Sequence, residues 1–217
     1  MTDLIVATRN KGKLLEIGKI LEGVHCRMYS LADFPDLPEI EEDGVTFEQN
    51  AVKKASAIAQ LTGLPALADD SGLAVDALGG KPGVFSARYA GTGATDETNN
   101  AKLLEELRGI PPERRGAAFH CVIALCLPDG SCTTFSGELR GSILEAPQGG
   151  EGFGYDPLFF VEEEGLSLAE LPLERKNRLS HRGKALELLK GNYLRRDVEK
   201  SLHALKGCAI NATSCGV

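Results

Sequence analysis

The hydrophobic positions of the chain change their period several times, and each change marks an element. Leu4-Ile5-Val6-Ala7 is a short continuous apolar run, the pattern of a buried strand. After a polar stretch, Leu14, Ile17 and Leu21 recur at helical spacing, and Asn10 is placed to cap that helix. Thr46-Phe47-Glu48-Gln49 is a capping-box pattern that opens a second helix, to about Leu61. At about 100° per residue, Lys54 falls on the stripe of Phe47, Ala51, Ile58 and Leu61, whereas Lys53 falls on the polar side. Asn50 lies one turn before Lys54 on the same side. An apolar run from Leu64 to Ala68 then meets Asp69-Asp70-Ser71-Gly72, and Leu73-Ala74-Val75 follows. Asp, Ser and Gly favour turns for local reasons, so the expected shape is strand, acidic tip, turn, strand.

Later segments read in the same way. Thr95 opens a helix to Leu107. Ala117 to Leu127 and Cys132 to Glu145 flank a Pro128-Asp129-Gly130-Ser131 turn, which predicts a hairpin extending the first sheet. Leu158 to Val161 is a last buried strand. Two short helical pieces are expected around 167–171 and 173–178. Ser180 caps a helix from His181 to about Leu194. The chain has 217 residues, which sets the expectation of a single domain over 1–195 and a partly disordered tail over 196–217.

Composition narrows the function classes. Hydrophobic residues make up 42% and charged residues 25%, an ordinary globular mix. No apolar run reaches the length of a membrane span, and the N-terminus lacks a signal-like apolar core, so a cytoplasmic protein is expected. The net charge of −7 argues against broad nucleic-acid or membrane-surface binding. A small anionic ligand remains compatible with it, provided basic groups or a metal offset the field locally. The six cysteines form no Cys-x-x-Cys pair, and Cys121 and Cys126, within an apolar run, are expected as buried thiols.

Four stretches carry candidate chemistry. Asp69 and Asp70 can hold a divalent metal and activate a water, with a further ligand from the acidic run Glu39 to Asp43. Spacing alone does not choose between the two aspartates. Lys11 and Lys13 occupy a first helical turn, where the macrodipole disfavours cations unless an anion binds; Thr8 and Asn10 add polar groups there. The motif is not a P-loop. His181, Arg182 and Lys184 break the dipole rule at a second helix start. The Gly-rich segment Gly149 to Pro157, with Phe153, Tyr155 and Asp156, lacks the strand-to-helix context of a dinucleotide fingerprint but suits clamping of a planar base.

These stretches occur together, in order, in one family. Ala7-Thr8-Arg9-Asn10-Lys11-Gly12-Lys13, Thr46-Phe47-Glu48-Gln49-Asn50-Ala51, Ala68-Asp69-Asp70-Ser71-Gly72-Leu73, Gly79-Gly80-Lys81-Pro82-Gly83, Ser86-Ala87-Arg88-Tyr89, Gly152-Phe153-Gly154-Tyr155-Asp156-Pro157 and Ser180-His181-Arg182-Gly183 span most of the chain. The sequence resembles the inosine/xanthosine triphosphate pyrophosphatases. That resemblance implies an α/β fold: an elongated, mixed, twisted sheet flanked by helices, in two lobes around a central cleft. It also implies a homodimer, Mg²⁺ dependence, and cleavage of non-standard purine nucleoside triphosphates (ITP, dITP, XTP) to a monophosphate and pyrophosphate. Carried over by position, Asp70 resembles the general base and metal-associated carboxylate. Glu42, with Glu41 as the alternative, resembles the second metal-associated acid. Thr8, Asn10, Lys13, Lys54 and Ser71 resemble triphosphate contacts; Phe153, Gly154, Tyr155, Asp156, Lys176, His181 and Arg182 resemble the base and sugar pocket. In that reading Arg182 is a fixed donor that favours a 6-keto purine over adenine. The competing readings are a phosphatase with an aspartyl nucleophile, a nucleotide-binding regulator without turnover, and a pyrophosphatase for modified pyrimidines.

Overall fold

A computed structural model describes residues 2–192. Seven strands form one open sheet in the order β2-β1-β3-β4-β5-β6-β7. Their ranges are Thr2–Val6, Cys26–Ser30, Ala66–Val75, Gly116–Cys126, Cys132–Ile143, Phe159–Val161 and Leu166–Ser167 for β1 to β7. β1 runs parallel to β2 and β3, and the remaining pairs are antiparallel. The sheet is therefore mixed, as the resemblance implies. Five helices flank it: α1 Lys11–Ile20, α2 Phe47–Thr62, α3 Asp96–Glu106, α4 Leu173–Leu179 and α5 over 181–192. The expectation of a disordered tail over 196–217 lies outside the described residues.

Caps explain where the helices begin. Asn10 accepts from the Lys13 backbone N–H, Thr46 from that of Gln49, and Thr95 forms a reciprocal box with Thr98. At Ser180 the hydroxyl accepts from the Gly183 N–H at 3.0 Å, which starts α5. Gly63 ends α2 in the left-handed region at φ 69°.

Three expectations fail in instructive ways. The Asp69-Asp70-Ser71-Gly72 segment is no turn: β3 continues through it, paired with β4 from Ala66↔Cys126 to Val75↔Ala117. Ten residues of ladder outweigh the local turn preference of Asp, Ser and Gly. Gly72 is there for closeness, since a Cβ on it would sit 2.5 Å from the Gly83 carbonyl oxygen and from Ser86 Oγ. Leu61, expected on the buried stripe of α2, is 56% exposed, one residue before the helix ends. Cys126 is buried, but as half of a disulfide to Cys132, its partner directly across the β4–β5 hairpin, rather than as a thiol.

The core divides by sheet face. Leu67, Ile123 and Leu125 pack under α1 and α5; Ala66, Ala68 and Ala124 pack under α2. A third cluster gathers Leu73, Leu103, Phe119, Leu158 and Phe159 toward the β6 end. α5 lies so near β5 that a Cβ on Gly137 would collide with the His181 carbonyl oxygen and sit 2.8 Å from Ala185 N. Gly137→Ala is expected to lower stability by about 1–3 kcal/mol, because backbone cannot yield as a side-chain end can. Gly18→Ala, on α1 with open space around it, is expected to add about 0.5–1 kcal/mol through helix propensity. Urea unfolding of both variants checks the contrast in sign.

Candidate active site

Side chains alternate along a strand, so the neighbouring carboxylates of β3 leave on opposite faces of the sheet. Asp69 follows Leu67 toward α1 and α5, and Asp70 follows Ala68 toward α2. Their surroundings then diverge completely.

Asp69 is 1% exposed. Its Oδ2 accepts from Arg182 Nε at 2.7 Å and from the Cys121 thiol at 3.2 Å, and its Oδ1 accepts from Ser71 Oγ at 2.8 Å. Lys13 completes the set as an ion pair. Arg182 also donates through Nη1 to Glu16 and through Nη2 to Ser71 Oγ at 2.9 Å. The second oxygen of Glu16 takes Lys176 at 2.7 Å, and Lys176 reaches Asp156 at 2.5 Å. Lys13, Asp69, Arg182, Glu16, Lys176 and Asp156 thus form one buried chain of alternating sign. Burial pushes the Asp69 carboxyl up, but Arg182 and Lys13 outweigh it and hold the group well below the usual range.

Asp70 has a thinner shell. Asn50 Nδ2 donates to its Oδ2 at 3.1 Å, and Lys54 Nζ lies 3.7 Å from its Oδ1. Lys54 is shared: it donates to the Asp69 carbonyl at 2.8 Å and to Glu42 Oε1 at 3.1 Å. Burial, supported by the nearby Glu42 charge, raises the Asp70 carboxyl to about 6 against the pull of Lys54 and Lys13. Lys53 instead pairs with Asp43 at the surface, as the helical phase predicts.

Two cavities meet at this strand. The first, about 250 Å³, is lined by Thr8, Asn10, Lys13, Glu42, Lys54 and Asp70 among others. The second, about 110 Å³, has Phe119, Phe153, Tyr155 and His181 on its walls. They share Asn10, Lys13, Ser71 and Ala87. Glu41 lines neither; it faces an outer groove beside Arg88. The donor set suits Mg²⁺, which takes one or two carboxylates and completes its shell with waters and substrate phosphates. Asp70 and Glu42 converge on one lysine, so two carboxylates there share a single paired cation. Among the described residues no three His, Cys, Asp or Glu side chains form a ready cage, and a metal shared with phosphates needs none.

Of the residues expected at the base, all but Lys176 line the second cavity, and several also have partners within the protein. His181 is 4% exposed and stacks on Phe119 with centroids 4.7 Å apart. Burial, then the Arg182 charge, holds it well below its ordinary range, so it is neutral. The basic start of α5 is therefore answered by carboxylates and a carbonyl: Arg182 by Asp69 and Glu16, Lys184 by the Glu138 carbonyl. Arg182 does line the second cavity, but its bonds to protein leave one proton on Nη1 without a partner among the described residues. Lys176 lines neither cavity; it sits 4.9 Å from the Phe153 ring centroid and anchors Asp156. Asp156 in turn accepts from the Phe153 N–H at 2.8 Å, and Tyr155 donates its hydroxyl to the Ser86 carbonyl at 2.9 Å. Glu16 escaped the sequence reading, and Cys121, read as a buried thiol and found as one, was not foreseen as a partner of Asp69. Glu16 stands three residues after Lys13 and four before Ile20, which is the inward spacing, and that signal was there to be read.

Comparison with known proteins agrees with the fold. The model of the Ham1 family matches residues 4–192. A dITP/XTP pyrophosphatase of Geobacter sulfurreducens is 68% identical over 190 residues, covering 88% of this chain and 96% of the relative. The structure of a HAM1 protein from Coxiella burnetii superposes with a TM-score of 0.82 at 43% identity, over 90% of this chain and 100% of that one. A nucleoside-triphosphatase / dITP/XTP pyrophosphatase structure from Mycobacterium abscessus gives 0.70 at 46% identity, over 87% and 97%.

The two aspartates are expected to respond oppositely to amidation. Asp69→Asn leaves Arg182 and Lys13 short of a buried partner and is expected to cost about 3–5 kcal/mol at neutral pH. Asp70→Asn removes a carboxylate whose folded value, about 6, lies above the ordinary 3.8. Between those values folded wild type holds a proton that the unfolded chain does not, so its stability falls as pH rises through the window. Asp70→Asn is expected to exceed wild type by on the order of 2 kcal/mol above pH 6, with the gap closing toward pH 4. Chemical denaturation of the three proteins at pH 4.5 and 7.5 reads both effects.

Proposed function

The chain belongs to the Ham1 family, and on that premise we propose that it hydrolyses non-standard purine nucleoside triphosphates, ITP, dITP and XTP, to the monophosphate and pyrophosphate. The observation that carries the reading is the joined pair of cavities. One is lined by four cations, Arg9, Lys13, Lys54 and Arg88, and by three carboxylates, Glu39, Glu42 and Asp70. The other is walled by aromatic rings. A triphosphate suits the first and a planar base the second, with the sugar at the shared residues Asn10, Lys13 and Ser71.

The reaction follows from the shells of the two aspartates. Asp69 is saturated and held ionised, so it positions Lys13 and Arg182 and takes no proton. Asp70, on the cavity wall with a raised carboxyl, is the base: it removes a proton from a water as the water oxygen bonds to the α-phosphorus. The bond from that phosphorus to the α–β bridging oxygen breaks in line, and pyrophosphate leaves with the charge. Lys13 and Lys54 are placed to offset that charge. Asp70 and Glu42 are the residues that would hold Mg²⁺, which would supply Lewis-acid neutralisation of the phosphate oxygens.

Base choice rests on polar atoms in the aromatic-walled cavity. His181 Nδ1 is buried and without a partner, and among such atoms it is the one on a residue lining the second cavity. With the remaining Arg182 proton it offers partners to the 6-keto edge of hypoxanthine or xanthine. Adenine would set its 6-amino group against a fixed donor, a mismatch worth about 1–3 kcal/mol. A homodimer and a cytoplasmic location belong to the same proposal and rest on the family resemblance. No helix among the described residues is long and apolar enough to cross a membrane.

A Mg²⁺-dependent assay on ITP, dITP, XTP and ATP, reading pyrophosphate and orthophosphate separately, tests the proposal. Pyrophosphate from the first three is expected, with ATP slower by about ten- to hundredfold. Asp70→Asn is expected to lose at least about a hundredfold in kcat. For wild type, kcat/KM is expected to fall as pH drops below about 6, where free Asp70 takes up its proton. Orthophosphate as the first product, or equal rates on ATP and ITP, would overturn the reading.

A further inference from the structure

The base cavity has a wall that belongs to neither the strand nor the helix starts. It is the loop 152–155, and its tip is held from across the cavity by the first turns of α3. The Gly154 N–H donates to Asp96 Oδ2 at 2.6 Å, and the Gly154 carbonyl accepts from Asn100 Nδ2 at 3.0 Å. Both backbone polar groups of one residue are thus taken by two side chains spaced i and i+4 on one helix, which places them on the same face. Gly154 is in the left-handed region at φ 65° and Gly152 at φ 80°, so this tip has backbone freedom that the helix removes.

We propose that Asp96 and Asn100 are positioning residues for base recognition: they fix Gly154, and through it the Phe153 ring against the base cavity. The inference rests on the assignment of that cavity to the purine. Three contacts argue that the two bonds govern the ring rather than the fold. The root of the loop is anchored separately, by Gly150 and Glu151 N–H groups on the Ala169 carbonyl. The rear of the Phe153 ring is already fixed, because it fills the space over Gly12 and lies near the Lys176 and Arg182 charges. The flank toward α3 is where the ring's own backbone continues into Gly154. Asp96 itself lines the base cavity, and Asn100 keeps its carbonyl oxygen buried and unpartnered. Among the described residues the Asn100 side chain makes one hydrogen bond, the one it donates to Gly154.

The test separates base binding from phosphate binding. KM and kcat for ITP and ATP, and inhibition by inorganic tripolyphosphate, are measured for wild type, Asp96→Ala, Asn100→Ala and the conservative Asp96→Asn, whose amide oxygen can still accept from Gly154 N–H. Thermal midpoints check that all four proteins are folded. Both alanine variants are expected to raise KM for ITP about fivefold or more, a hydrogen bond's worth, with kcat falling less than twofold and tripolyphosphate inhibition unmoved. Asp96→Asn is expected to stay within about twofold of wild type in KM. An unchanged KM in both alanine variants, or tripolyphosphate inhibition weakening in step with KM, overturns the proposal. Wild type cleaving the pyrimidine nucleotide CTP, measured alongside, as readily as ITP would instead remove the purine assignment on which it stands.

Discussion

Arg182 cannot shed its charge, and it sits 2% exposed between the sheet and the loop that carries Phe153. A guanidinium in that position demands carboxylates on more than one side. β3 supplies Asp69, α1 supplies Glu16, and the two carboxylates must then be shared so that neither is left in excess. Lys13 answers the remaining oxygen of Asp69, Lys176 answers Glu16, and Asp156 answers Lys176. The alternating chain crosses from α1 through β3 and α5 to α4 and the Gly-rich loop. Such a chain is weak evidence for net stability, since desolvation of six charges offsets much of the attraction. Its worth lies in geometry: breaking any link strands a buried charge, so every member is confined to one position.

The same constraint divides labour between adjacent residues. Asp69 and Asp70 differ by one step along a strand, and one step reverses the face. On the α1–α5 face the carboxylate meets two cations and a thiol and loses its affinity for protons. On the α2 face it meets an amide and a lysine that Glu42 also claims, and gains affinity. Two identical groups with values driven apart by their surroundings are the arrangement acid–base chemistry uses. β3 must continue unbroken for this to happen. A turn at Asp70, which the local composition favours, would put both carboxylates on one tip and make them equivalent.

That turn is the clearest case of what the sequence could not disclose. Asp-Asp-Ser-Gly is read locally as a bend, yet ten-residue pairing with β4, some fifty residues later, decides the outcome. Arg182 was likewise legible as a base at a helix start, but its partners lie 113 and 166 residues away, beyond any local pattern. Where the determining interactions are near in sequence, the reading holds. Asn10, Thr46, Thr95 and Ser180 cap as their spacing implies, and helical phase alone separates Lys53 at the surface from Lys54 in the cleft. Leu61 fails because phase says nothing about where a helix runs out of neighbours. The hairpin was legible from its turn, whereas the pairing of Cys126 with Cys132 follows from register, which the turn sequence only implies.

The two halves of the site ask opposite things of water. In-line hydrolysis needs one water held beside the α-phosphorus, and the phosphate cavity is charged, with Arg9, Lys13, Lys54 and Arg88 on its walls. Discrimination between a keto and an amino group needs water excluded, because water would repair any mismatch with either base. Phe119 stacked on a neutral His181, the Phe153 ring and the buried tyrosine make that half dry. Had His181 kept a proton, its charge would have drawn solvent into the pocket and presented donors on both nitrogens. Burial stops this, supported by the Arg182 charge, which is itself neutralised by Asp69 and Glu16. The boundary between wet and dry therefore runs along β3, between the carboxylate that is never protonated and the one poised to be.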